Sequence, residues 1–139
     1  MRSIKIVVAD DDEFWVEGLR ALSGDDNEIE VVGTTVSLKD LEKLIETTTP
    51  DVAVLDIAWP GDKVAGIKMI TQLQEKFDVK VVAITAYPEL VEFAEAAGAF
   101  TLKKGFKLNQ LIDMIWLATQ DKGEARAWSL PIDITEQIT

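Results

Sequence analysis

The sequence predicts a doubly wound α/β sandwich: a five-stranded parallel sheet with five helices distributed over its two faces. Three observations predict it. Apolar, β-branched runs alternate with helical patterns from one end of the chain to the other. The runs are continuously apolar, which suits strands of a parallel sheet buried on both faces. Polar residues recur at the carboxyl ends of the runs, where open parallel sheets bind ligands.

The first strand, residues 4–9, reads Ile4-Lys5-Ile6-Val7-Val8-Ala9 and delivers Asp10, Asp11 and Asp12 at its end. Residues 14–22 then place Trp15, Leu19 and Leu22 on one helical face. A second strand spans 29–34. Ser37 and Asp40 form a capping-box pattern that opens a helix through Leu38, Leu41, Leu44 and Ile45. A third strand, 52–56, ends in Asp56. Residues 66–77 carry Ile67, Ile70 and Leu73 at helical spacing. A fourth strand, 79–85, ends in Thr85, and a short Ala-rich helix over 89–97 stops at Gly98. A brief fifth strand, 100–102, leads to Lys103 and Lys104. The last helix, 108–117, carries Leu108, Leu111, Ile112 and Ile115. The crossovers are expected to be right-handed.

A chain of 139 residues makes one domain with a sizeable core. Residues 1–120 are read as that domain. Residues 121–139 are read as a C-terminal tail or linker, although Trp128, Leu130, Ile132 and Ile134 give it much apolar surface. No apolar run reaches the ~20 residues that span a bilayer. Met1-Arg2-Ser3 runs straight into a strand, so no signal peptide is expected. The chain has no cysteine and no histidine, which excludes disulfides, thiolate sites and histidine general bases. With 25 acidic against 14 basic side chains the net charge is −11, the wrong field for a phosphate backbone. The expectation is a cytoplasmic domain without direct nucleic-acid or membrane binding, working through a metal, small anions or proteins.

Carboxylates crowded at one strand end repel one another unless a cation offsets them. Oxygen ligands of this kind suit a hard ion, Mg²⁺ before others. In this fold the ends bearing Asp10 and Asp11, Asp56, Thr85, and Lys103 and Lys104 share one edge. An acidic pair, a lone carboxylate, a hydroxyl and an ammonium in one crevice are suited to phosphoryl transfer. The plainer alternative for the first run is that acidic residues merely solvate a loop.

This ordered set, from about Ser3 to Leu117, resembles the response-regulator receiver domains of two-component signalling. Glu17-Gly18-Leu19-Arg20-Ala21-Leu22, Ile29-Glu30-Val31-Val32-Gly33 and Pro50-Asp51-Val52-Ala53-Val54-Leu55-Asp56 resemble the branch usually joined to a C-terminal helix-turn-helix domain. The resemblance implies a flavodoxin-like three-layer sandwich with strand order 2-1-3-4-5. It implies that Asp56 is the phosphoacceptor, taking a phosphoryl group from a sensor histidine kinase, a phosphotransfer protein or a small donor. Asp10, Asp11, Asp56 and the main-chain carbonyl of Ala58 would hold Mg²⁺, and Thr85 and a lysine would contact the phosphoryl group. Such a chain is a signalling phosphoacceptor that catalyses its own phosphorylation and dephosphorylation, not an enzyme acting on other substrates. Phe100 or Thr101 would report the switch, and homodimerisation on phosphorylation stays open.

The family spacing into Glu17-Gly18-Leu19 selects Asp10-Asp11 as the acidic pair and leaves Asp12 to the helix start. The lysine has two candidates. Counting back from Leu111-Ile112 selects Lys104, the favoured choice; counting forward from Phe100 selects Lys103. Gly105 stands where the family often has proline, so a cis peptide is not expected there. The loop Trp59-Pro60-Gly61-Asp62-Lys63-Val64-Ala65-Gly66 is longer than the family turn. Ala58 and Tyr87, two beyond the acceptor and two beyond the threonine, occupy positions that tune phosphoryl hydrolysis. Trp59 and Tyr87 either restrict access there or simply cover apolar surface. Two other readings remain: a pseudo-receiver that only binds proteins, and a haloacid-dehalogenase-type phosphatase with Asp10 as nucleophile and Asp12 as acid/base.

Overall fold

In a computed structural model the chain forms five parallel strands in the order β2-β1-β3-β4-β5. The structure describes residues 3–24 and 28–120, the Leu22 side chain excepted. The segment 121–139, read above as a tail or linker, lies outside the described residues. The strands are β1 (Ile4–Ala9), β2 (Ile29–Thr35), β3 (Val52–Asp56), β4 (Lys80–Thr85) and β5 (Phe100–Lys103). The helices are α1 (Glu13–Leu19), α2 (Leu41–Thr48), α3 (Ala65–Lys76), α4 (Val91–Ala96) and α5 (Leu108–Gln120). The expected flavodoxin-like order is therefore the observed one.

Strands β1, β3 and β4 are apolar between their ends, Lys5 apart, because both of their faces are covered. Val7, Ala9, Ala53, Leu55, Val81 and Ala83 point into one core, closed by Leu41, Ile45, Ile70, Leu73 and Ala94 of α2, α3 and α4. Ile6, Val8, Val52, Val54, Val82 and Ile84 point into the other, closed by Val16, Leu19, Leu111, Ile115 and Ala118 of α1 and α5. The edge strands β2 and β5 are mostly half-buried, so continuous burial holds for the three central strands only.

Several boundaries differ from expectation for local reasons. The first helix is shorter: α1 ends at Leu19 and the chain tightens into a 3-10 turn over Arg20–Gly24. The capping box at Ser37 does not form. Thr35 Oγ1 accepts the Ser37 N–H at 3.1 Å, and the Ser37 side chain caps nothing. A 3-10 turn, Pro88–Leu90, precedes α4, since proline is accommodated in a first turn whose N–H would be unpaired. Asp12 starts α1 as its N-cap: Oδ1 accepts the N–H groups of Phe14 (3.0 Å) and Trp15 (3.3 Å).

Candidate functional site

The carboxyl edge of the sheet collects the acidic groups by strand register alone. β1 and β3 pair Ala9 with Leu55, so the residues that follow, Asp10 and Asp56, emerge side by side. β3 and β4 pair Asp56 with Ile84, which sets Thr85 next to the end of β3. Asp10, Asp56 and Thr85 are the buried polar side chains among the described residues, at 1%, 4% and 0% exposure. Asp11 is exposed at the rim.

The lysine comes from the turn after β5. Lys103 pairs with Thr85 as the last residue of β5, and its side chain is exposed. The Lys104 N–H donates to the Thr85 carbonyl at 2.8 Å, and this bond fixes the backbone where the ladder ends. From there the Lys104 Nζ reaches Asp56 Oδ2 at 3.3 Å and Asp10 Oδ2 at 3.7 Å. The structure thus brings Lys104 rather than Lys103 to the carboxylates.

Hydrogen bonds orient the rest. Asp10 Oδ1 accepts the Asp12 N–H at 3.0 Å, and Asp56 Oδ1 accepts the Ala58 N–H at 3.4 Å. Thr85 Oγ1 accepts the Tyr87 N–H at 3.0 Å. Trp59 folds back so that its Nε1–H donates to the Asp56 carbonyl at 2.6 Å. That bond was not legible in the sequence, which offered Trp59 only as a bulky neighbour. Close packing at Gly66 was also missed: its N–H donates to the Ile57 carbonyl at 2.9 Å with the two backbones almost touching.

Burial sets the electrostatics. Asp10 is pushed up to about 6, first by desolvation and then by the Asp56 charge, against the Asp12 N–H and Lys104. Burial likewise raises Asp56, and the Lys104 ammonium pulls it back. Burial would lower Lys104, but the charges of Asp56 and Asp10 outweigh it and hold the ammonium above its ordinary value.

The donors fit a hard cation. Asp10, Asp11 and Asp56 each offer a carboxylate oxygen, all within 4.8 Å of one another. Asp10 Oδ2 is buried without a hydrogen-bond partner, an oxygen that a metal ion would satisfy. Among the described residues no helix is long and apolar enough to cross a membrane.

Comparison with known proteins agrees with this geometry. The family model of the response regulator receiver domain matches residues 6–116. The chain is 32% identical over 111 residues to the transcriptional regulatory protein YhcZ of Bacillus subtilis, covering 79% of this chain and 49% of that one. It is 30% identical over 118 residues to the response regulator GacA of Pseudomonas aeruginosa, covering 81% and 53%. It therefore spans about half the length of these curated relatives. Among solved structures, the signal receiver domain designated NarL from Mycobacterium tuberculosis superposes with a TM-score of 0.70 at 29% identity, covering 89% of this chain and 98% of that one. The receiver domain of CheB from Thermotoga maritima, at 24% identity and a TM-score of 0.73, shares the fold; it is covered over 99% of its length and covers 87% of this chain. With the family matched across most of its length and an acidic sheet edge to go with it, the chain belongs to the response regulator receiver domains of two-component systems.

Proposed function

We propose that Asp56 accepts a phosphoryl group from a phosphohistidine on a sensor kinase or phosphotransfer protein, or from a small donor such as acetyl phosphate. The observation that carries the reading is one ammonium, Lys104, set between two buried carboxylates, one of which keeps an oxygen without a hydrogen bond. A carboxylate oxygen of Asp56 bonds to phosphorus as the bond to the donor's nitrogen or oxygen breaks. The nucleophile brings its own electron pair, so no general base is needed in a chain without histidine. Mg²⁺, held by Asp10, Asp11, Asp56 and the Ala58 carbonyl, would neutralise charge on the transferred group. Lys104 exchanges its contact with Asp56 for the phosphoryl oxygens, and the Thr85 hydroxyl turns to donate to them.

That rearrangement would bias the surface of α4, β5 and α5. Thr101 Oγ1 donates to Glu95 Oε2 at 3.3 Å, so β5 and α4 are already linked through a side chain that could report it; Phe100 beside it is buried. Homodimerisation, a cytoplasmic location and a C-terminal DNA-binding domain beyond this chain belong to the same proposal, the last prompted by a transcriptional relative of which this chain covers about half. Against the phosphatase alternative, Asp12 is engaged as the N-cap of α1. Against the pseudo-receiver alternative, Lys104 does reach Asp56.

The test is intact mass after incubation with acetyl phosphate and Mg²⁺. The native chain is expected to gain one phosphoryl group, and Asp56→Asn none. Phosphate release that requires Asp10 but not Asp56 would instead support the phosphatase. No gain and no turnover would support the pseudo-receiver. A second expectation concerns lifetime. Tyr87, held two residues beyond Thr85, restricts water, so Tyr87→Ala should shed its phosphoryl group faster; an unchanged decay would sink that role.

A further inference from the structure

Two loops leave the carboxyl edge side by side, one after Asp56 and one after Thr85, because β3 and β4 are neighbours. The first is braced. Trp59 and Asp62 exchange backbone hydrogen bonds of 3.1 and 2.9 Å around Pro60-Gly61. Gly61 takes φ +82°, as the third residue of a proline-led type II turn requires. The Val64 N–H donates to Asp62 Oδ1 at 3.1 Å. Lys63 therefore projects from a fixed backbone. Its Nζ donates to Glu89 Oε2 at 2.8 Å and lies 4.2 Å from the centroid of the Tyr87 ring. Both of these partners belong to the second loop.

One ammonium thus joins the two loops at the edge where Asp56 and Thr85 sit, and the ring it touches is the one that follows Thr85. The acceptor chemistry uses neither Lys63 nor Glu89. An exposed ion pair alone contributes little, because ordering two long side chains opposes it. Here the aromatic face adds a second attraction, and the turn has already ordered the lysine's backbone. The hydrogen bond between them raises Lys63 and lowers Glu89 from their ordinary values, so both stay ionised at neutral pH.

We propose that Lys63 is a positioning residue: bonded to Glu89, it pins the Tyr87 ring beside the approach to Asp56 and slows loss of the phosphoryl group. The inference rests on reading Asp56 as the acceptor. In the step concerned, a water oxygen bonds to phosphorus while the bond from phosphorus to the Asp56 oxygen breaks. The carboxylate leaves with that electron pair, a water proton passes to solvent, and inorganic phosphate departs. Lys63 touches none of these atoms and acts through the ring on the access of water.

The experiment is to phosphorylate the chain with acetyl phosphate and Mg²⁺, remove the donor, and follow loss of the phosphoryl mass at low and high salt. Lys63→Met is expected to decay about threefold faster, the scale of a cation–ring contact at an exposed site. Salt should speed the native chain toward the variant's rate by screening the pair, and leave Lys63→Met unchanged. Lys63→Arg should keep the slow decay. Added to Tyr87→Ala, Lys63→Met should change nothing further, since the ring it served is gone. Equal decay of native and Lys63→Met overturns the clasp and leaves the acceptor reading standing. So does an acceleration that persists in full on Tyr87→Ala. A native chain that takes up no phosphoryl group overturns both.

Discussion

Gly66→Ala is expected to destabilise the domain by about 3 kcal/mol, the upper part of the range for overpacking a closed interior. A Cβ at Gly66 would lie 2.6 Å from the Asp56 carbonyl oxygen, 2.6 Å from Ile57 Cα and 2.9 Å from the Ile57 carbonyl oxygen. All three are backbone atoms at the end of β3, so no flexible side chain can yield. Relief requires α3 to back away from the sheet, loosening Ile70 and Leu73 in the core beneath it, or the Asp56 peptide to rotate. Rotation would break the bond from Trp59 Nε1 and move Asp56 itself. The loss is a large share of the ~5–15 kcal/mol that hold a domain together. Urea unfolding measures it, with Gly18→Ala as the contrast. Gly18 lies within α1, and a methyl group added there would meet nothing within 4 Å. Alanine there should stabilise by about 1 kcal/mol through helix propensity. Equal midpoints for Gly66→Ala and the native chain would refute the close approach.

The second large effect runs the other way. Asp10→Asn is expected to stabilise the metal-free chain at pH 7 by about 3 kcal/mol, from roughly two pKa units at ~1.4 kcal/mol each. Folding buries this carboxylate and lifts it from 3.8 to about 6, mainly by desolvation. Between those values the folded chain binds more protons than the unfolded one, so stability falls as pH rises. The favourable contribution of the protonated form is complete below pH 3.8 and lost as pH passes about 6. Asp56, raised for the same first reason, adds to the trend in the same direction. Urea unfolding in a chelator should therefore show the native chain more stable at pH 5 than at pH 7, and Asp10→Asn with a shallower slope, the part due to Asp56 remaining. Mg²⁺ should restore the native chain at pH 7 and do little for the variant. A destabilised Asp10→Asn would mean that the carboxylate is held by interactions stronger than its desolvation.

The parts of this structure that could be read in the sequence are those fixed by local pattern. β1, β3 and β4 announce themselves because strands covered on both faces are apolar at nearly every position. Asp10, Asp56 and Thr85 follow, since whatever ends such a strand arrives at the same edge. The departures arise where particular hydrogen bonds or tertiary register decide rather than apolar spacing. Ser37 has the composition of a capping box, but Thr35 nearby takes its N–H first. The 3-10 turns at Arg20–Gly24 and Pro88–Leu90 differ from α-helix by one residue in their bonding, which apolar spacing does not resolve. Lys103 and Lys104 are indistinguishable in composition. What separates their side chains is where the β4–β5 ladder runs out, a matter of tertiary register. The contact of Lys63 with Glu89 and Tyr87 spans two loops and leaves no periodic trace.

The sheet also acts as a partition wall. Val7 and Val8 are consecutive residues, yet they furnish different rooms, one closed by α2, α3 and α4 and the other by α1 and α5. The two rooms share backbone but no side chains, so each can be refurnished with new apolar residues without disturbing the other. A deletion of one residue in β1 is a different kind of event. It would evict both sets of tenants at once, exchanging the contents of the rooms along that whole strand.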